Sequence, residues 1–260
     1  MLDPSLLATA ADAALAGGRV ARRFFRHAPA IRKKGLIDLV TEADLAVEAE
    51  IRARIERRFP DHVILGEEGG GPSETGGCRW IVDPIDGTTN FAHGLALFCV
   101  SVALEVDGVV VVGAVYDPMA DELFTAEQGQ GARLNGERLA VSSVATVIDG
   151  LLVTGFPYTA TEERANQVEV FAAFLARAQA VRRLGSAALD LCFVAAGRFD
   201  GFWEQHLHAW DVAAGALLVQ EAGGVVTGYD GSAYSPFGRQ IVASNGLLHQ
   251  EMLDIFRSGR

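Results

Sequence analysis

Apolar residues recur along this chain at two different periods. From Ser5 to about His27 the sequence is Ala-rich and reads as a helix, weakened at Gly17-Gly18. A basic link follows, Arg32-Lys33-Lys34-Gly35. A second helix is expected from Thr41, where Thr41 and Asp44 stand at capping-box spacing. Ile51, Ile55 and Phe59 then recur every fourth residue, and Pro60 ends the run. Residues 66–79 form a Gly-rich loop, and Trp80-Ile81-Val82 reads as a buried strand running into Asp83. Residues 98–106 and 109–116 are β-rich runs around Asp107-Gly108, the strongest hairpin signal in the chain. A strand near 122–126 and the polar stretch GQGARLNGERL complete a sheet-rich first half. The second half alternates: strand 151–155, helices 162–179 and 187–196, strand 199–203, helix 211–222, strands 224–227 and 240–243, and a last helix 246–257. The expectation is a mixed α/β chain in two lobes, residues 1–145 and 146–260, without internal repeats or long linkers.

Composition narrows the function classes. Half of the 260 residues are apolar, enough for a sizeable core, and the net charge of −11 repels polyanions. Nucleic acid and anionic membranes are therefore not the expected partners. A small phosphorylated molecule is compatible if a cation bridges the like charges. Cys78, Cys99 and Cys192 have no paired spacing, which fits a reducing compartment. The N-terminal segment lacks the early basic cluster of a signal peptide. No apolar stretch approaches the length of a membrane span, so a cytoplasmic location is expected.

Three acidic clusters close apolar runs: Gly66-Glu67-Glu68 after Val63-Ile64-Leu65, Asp83-Pro84-Ile85-Asp86-Gly87-Thr88-Thr89 after the buried strand, and Trp210-Asp211 at a helix start. If Glu67, Asp83, Asp86 and Asp211 converge, two such anions about 4 Å apart repel by about 4 kcal/mol at an effective dielectric of 20. Four together need a cation, and an all-oxygen set favours Mg²⁺ before Mn²⁺ or Ca²⁺. Pro84 stiffens the turn so that Asp83, the Ile85 carbonyl and Asp86 can face one site. Gly87 allows close approach to the backbone, and the N–H groups after it suit a phosphate. Simpler readings stand beside these. Asp44 serves equally as a capping partner, Glu67-Glu68 as a solvated pair, and Asp211 as a helix cap. His206 and His208 suggest a metal pair, but a structural role within a strand is the simpler reading.

Taken together, WIVDPIDGTTNFAHG and HAWDVAAGALLVQEAGG resemble the two signatures of the inositol monophosphatase family. LVTEAD, GEE, GFPY, RRLGSAALDLC and GRFDGFWE occur in the family's order. The resemblance runs from about residue 5 to 256. It implies the layered αβαβα fold of the lithium-sensitive, Mg²⁺-dependent phosphomonoesterases, and a homodimer. It assigns Glu67, Asp83 and the Ile85 carbonyl to one Mg²⁺, and Asp83, Asp86 and Asp211 to a second. Glu67 also helps to hold a third, weaker ion. Thr88 and Asp44 become the pair that orients the attacking water, and Gly87 and Thr88 offer N–H groups to the phosphate. Asp86, Ala187 and Glu204 meet the hydroxyls of the alcohol, Lys33 is a basic residue near the metals, and Glu68 supports the site.

No Ser, Cys or His stands in a nucleophile's setting, so direct attack by water is expected. The family resemblance does not fix the alcohol, but Ser186-Ala187-Ala188, Glu204 and Gly155-Phe156-Pro157 match its inositol phosphate type more closely than the relatives acting on adenosine 3′,5′-bisphosphate, so inositol 1-phosphate is the expected substrate. The alternatives are a broader sugar or polyol phosphatase, a histidinol phosphatase or a fructose-1,6-bisphosphatase. More distant are a glycosidase working with two carboxyls and no metal, and a non-catalytic interaction module on the same scaffold.

Overall fold

The computed structural model describes residues 3–26, 31–33, 39–71, 76–156 and 161–258. The first helix, α1 (Pro4–Phe24), starts where Asp3 accepts the Ser5 N–H at 2.9 Å and Pro4 takes the first turn. It runs unbroken through Gly17-Gly18, against the expected weakening. A Cβ on Gly18 would stand 2.4 Å from the Tyr116 ring, so the missing side chain is what lets α1 lie close on the sheet. Short strands β1 (Ile31–Lys33) and β2 (Leu39–Thr41) pair antiparallel, so part of the expected basic link is strand. Lys34 and Gly35 lie outside the described residues. Helix α2 (Glu42–Arg58) buries Val47, Ile51 and Ile55 against α1 and the sheet.

Seven strands follow: β3 (Val63–Gly66), β4 (Cys78–Asp86), β5 (Cys99–Val106), β6 (Val109–Asp117), β7 (Glu122–Glu127), β8 (Gly131–Leu134) and β9 (Glu137–Arg138). They pair in sequence order, and all pairs except β3–β4 are antiparallel. A one-turn helix, α3 (Thr88–Ala92), leaves the end of β4. Asp107 and Gly108 both have positive φ, 49° and 86°, as a two-residue I′ turn requires. The β4–β5 register shifts between Asp83 and Asp86, where Pro84 has no N–H to give the ladder.

The second sheet has the order β11-β10-β12-β14-β13, from β10 (Leu151–Thr154), β11 (Ala180–Arg182), β12 (Gly201–Gln205), β13 (Val225–Thr227) and β14 (Gln240–Ser244). Strand β11 was not anticipated. The expected helix over 162–179 is α4 (Thr161–Leu175), and the chain turns into β11 soon after it. Helices α5 (Ala187–Ala195) and α6 (Ala209–Glu221) fill the space between the sheets, while α4 and α7 (His249–Ser258) cover the outer face of the second. Alternation along the strands fixes this layering. Phe202 faces the core around α5 and α6, and the next residue, Trp203, stacks on Phe174 with ring centroids 4.0 Å apart on the other side. The order is helices, sheet, helices, sheet, helices: the layered α/β fold expected from the sequence.

Candidate active site

The site forms where β4 ends and where α5 and α6 begin. Asp83 and Asp86 leave β4 across its register shift, and Asp211 comes from the first turn of α6. Each contributes a carboxylate oxygen to a group whose atoms lie within 4.8 Å of one another. Burial raises Asp83 well above the ordinary carboxylate range, and the charges of Glu67, Asp86, Asp211 and Asp44 add to the rise. Asp211 is raised for the same reasons, burial first and Asp86 next. Asp86 is also raised by burial. Hydrogen bonds work against that rise: Ser186 Oγ donates to Asp86 Oδ2 at 2.5 Å and the Ala188 N–H donates at 2.8 Å. The N-terminus of α5 thus holds a carboxylate from the other half of the chain.

The donor chemistry fits a divalent cation. The cluster is all oxygen and crowded enough to repel itself, and it is fixed by backbone and hydroxyl donors that suit the ionised form. The magnesium expected from the sequence is therefore compatible with these residues.

The cleft around the cluster has a volume of about 460 Å³, room for a small molecule. Its walls include Glu67, Asp83, Ile85, Asp86, Gly87, Thr88, Ala187, Glu204 and Asp211. Gly87 has φ +93°, and a Cβ there would meet the Leu97 carbonyl at 2.9 Å, so this backbone needs glycine. Thr88 Oγ1 donates to the Ile85 carbonyl at 2.9 Å. Asn90 bridges the Leu97 and Leu184 carbonyls, each at 2.8 Å, and so ties the segment after β4 to the segment before α5.

Asp44 is fully buried on α2, close enough to Asp83 to raise it. Glu68 is half-buried and gives its N–H to Glu48 at 2.8 Å. Lys33 ends β1, and its side chain lies outside the described residues. Asp211 also accepts the His208 N–H at 2.7 Å, so it caps its helix as well as joining the cluster. His206 and His208 both border the cleft. Glu204 on β12 is buried, which pushes its carboxyl up to about 8, while Arg183 opposes the rise.

Several supports are not legible in the sequence. The motif around Ser186 gives no sign that its hydroxyl clamps Asp86. Asp190, one turn into α5, is buried behind the cleft and raised by burial and by Glu204. His206 lies on the cleft wall with φ +62°, a backbone that side chains rarely adopt. The one signal for Asp190 is a lone acid in an apolar helix; His206 and His208, read from the sequence as strand residues, instead lie past the end of β12, and both line the cleft.

A layered α/β frame with a buried cluster of oxygen donors at its cleft defines the class: a hydrolase suited to a hard divalent cation. The chain belongs to the inositol monophosphatase family, whose profile matches residues 3–259. It is thus a phosphatase of a family that depends on magnesium in general. It is 45% identical over 259 residues to the inositol-1-monophosphatase of Synechocystis, covering 97% of this chain and 90% of that protein. It is 43% identical to the Nus factor SuhB of Haemophilus influenzae, covering 98% of this chain and 97% of that one. Among solved structures, the suhB extragenic suppressor protein of Bartonella henselae superposes with a TM-score of 0.93 at 37% identity, covering 98% of this chain and all of that one. Among the described residues no helix is long and apolar enough to cross a membrane.

Proposed function

We propose that this chain hydrolyses myo-inositol 1-phosphate to inositol and phosphate by direct attack of water. The observation that carries the reading is the convergence of Asp83, Asp86 and Asp211 beside Gly87 and Thr88. In this reading Glu67, Asp83 and the Ile85 carbonyl hold one Mg²⁺. Asp83, Asp86 and Asp211 hold a second, and Glu67 shares in a third, weaker ion. Bound by these residues, the cations would supply positive charge to activate water, neutralise phosphate oxygens and steady the leaving oxygen.

The chain's own groups do the rest. The N–H groups of Gly87 and Thr88 hold the phosphate. Thr88 has its hydroxyl proton on the Ile85 carbonyl and turns its lone pairs to the entering water. With Asp44 it fixes the line of attack. The proton released by that water passes to Asp44 or Glu67. The new P–O bond forms as the bond to the alcohol oxygen breaks; that oxygen takes a proton from a solvent water, and the carboxyl returns its own proton to solvent. Asp86, Ala187 and Glu204 meet the alcohol's hydroxyls. Glu204, kept protonated near neutral pH by burial, can donate as well as accept.

The name of the Synechocystis relative supports the inositol substrate. The name of the Haemophilus relative favours a second reading, a binding role kept beside catalysis. The net charge of −11 supports a partner other than a bare polyanion. We also read the protein as a cytoplasmic homodimer. Phosphate release from inositol 1-phosphate, histidinol phosphate, fructose 1,6-bisphosphate and adenosine 3′,5′-bisphosphate, with and without Mg²⁺, tests the proposal. Mg²⁺-dependent release with preference for the first is expected. Another preference discards the substrate, and no release from any of them by folded protein discards the reaction.

A further inference from the structure

The turn that carries Glu67 is built around a buried side chain from another element. Residues 66–70 fold back on themselves, with the Gly66 N–H donating to the Gly70 carbonyl at 3.1 Å. Glu48 of α2, only 3% exposed, fills the inside of this turn. Its Oε2 accepts the Glu68 N–H at 2.8 Å, and its Oε1 accepts the Gly69 N–H at 2.9 Å. Arg52, one helical turn on, donates through Nε to Glu48 Oε1 at 2.7 Å and through Nη2 to the Gly70 carbonyl at 2.9 Å. The fit leaves no slack. A Cβ on Gly66 or on Gly69 would stand 2.5 Å from Glu48 Oε1. The turn is also moored to β4, where the Glu67 N–H reaches the Val82 carbonyl at 3.2 Å, one residue before Asp83.

We propose that Glu48, braced by Arg52, is a positioning residue that sets Glu67 against the Asp83 cluster and so fixes the affinity of the site for its divalent cation. The inference rests on the metal-site reading given above. Glu48 does not line the cleft, so it acts through the turn. Both of its oxygens receive N–H donors. A carboxamide would turn an NH₂ group toward one of them and leave a donor facing a donor. Groups that orient a metal's ligands typically account for 10–100-fold in metal affinity.

Mn²⁺ binding to metal-stripped protein, read by electron paramagnetic resonance of the free ion, tests this without turnover. In Glu48→Gln the affinity is expected to fall by about 10–100-fold. Phosphate release should recover with excess Mg²⁺, and the substrate KM at saturating metal should not move. Gly69→Ala pushes the carboxylate out of the turn while keeping its charge. The same direction of loss there separates positioning from simple electrostatics, and this variant carries the test if Glu48→Gln does not fold. Wild-type affinity in either folded variant overturns the inference, as does a loss of activity that excess Mg²⁺ does not restore. Wild-type protein that binds no Mn²⁺ overturns the underlying reading of the site instead.

Discussion

Asp86 Oδ2 takes a hydrogen bond from Ser186 Oγ and another from the Ala188 N–H, while the same carboxyl group faces Asp83 and Asp211. In Asp86→Asn the amide oxygen can keep both bonds and place its NH₂ toward the cluster, so the fold should survive while the proposed cation site loses a carboxylate. Turnover is expected to fall on the order of 10³-fold, and Asp211→Asn should do the same. Near-normal phosphate release in either variant would contradict the assignment. Glu204 gives a second test at this scale. Its carboxyl titrates at about 8 in the folded chain, against 4.5 ordinarily. Between those values the folded state holds a proton that the unfolded state has released, so this group costs stability as pH rises. Metal-free wild type should therefore lose thermal stability relative to Glu204→Gln from about pH 5 to about pH 8. A pH-independent difference between the two proteins would refute the buried acid.

Helix α1 illustrates what elements need from single residues. Gly18→Ala forces a Cβ to within 2.4 Å of the Tyr116 ring. Overpacking of this kind costs about 1–3 kcal/mol, or about 2–4 °C in Tm per kcal/mol at this chain length. Activity per folded molecule should be unchanged, and calorimetry alongside a phosphate-release assay checks both. From sequence the same glycines read as a weak point in the helix, because propensity carries no information about the neighbouring sheet. The Asp107-Gly108 hairpin was legible because its turn depends on two adjacent residues alone. Strand β11 was not, since Ala180–Arg182 gains its place only by lying beside β10. The cluster of Asp83, Asp86 and Asp211 was legible through its motifs, each acid closing an apolar run. Glu48 and Arg52 escaped notice because i, i+4 charge pairs are common on solvated helices. Only the fold reveals that Glu48 points inward.

At the scale of the whole molecule, the cleft exists because α5 and α6 lie between two sheets and aim their N-terminal turns at the end of β4. The Asn90 bridge and the Ser186–Asp86 bond cross the same seam. Burial of several carboxylates there destabilises the metal-free chain at neutral pH, and a bound cation offsets that cost. Added Mg²⁺ should raise the unfolding midpoint of wild type at pH 8 and raise that of Asp211→Asn less, because the proposed second cation loses a ligand there. An equal rise in both would place the stabilising ion elsewhere.

Cation-dependent hydrolysis at the Asp83, Asp86 and Asp211 cluster is tested by phosphate release from inositol 1-phosphate by metal-stripped protein, titrated with Mg²⁺ and run beside Asp211→Asn. Such a mechanism gives no release without the cation, saturable recovery with it in wild type, and almost none in the variant. Release that persists in the stripped protein, or that Asp211→Asn retains in full, would contradict it.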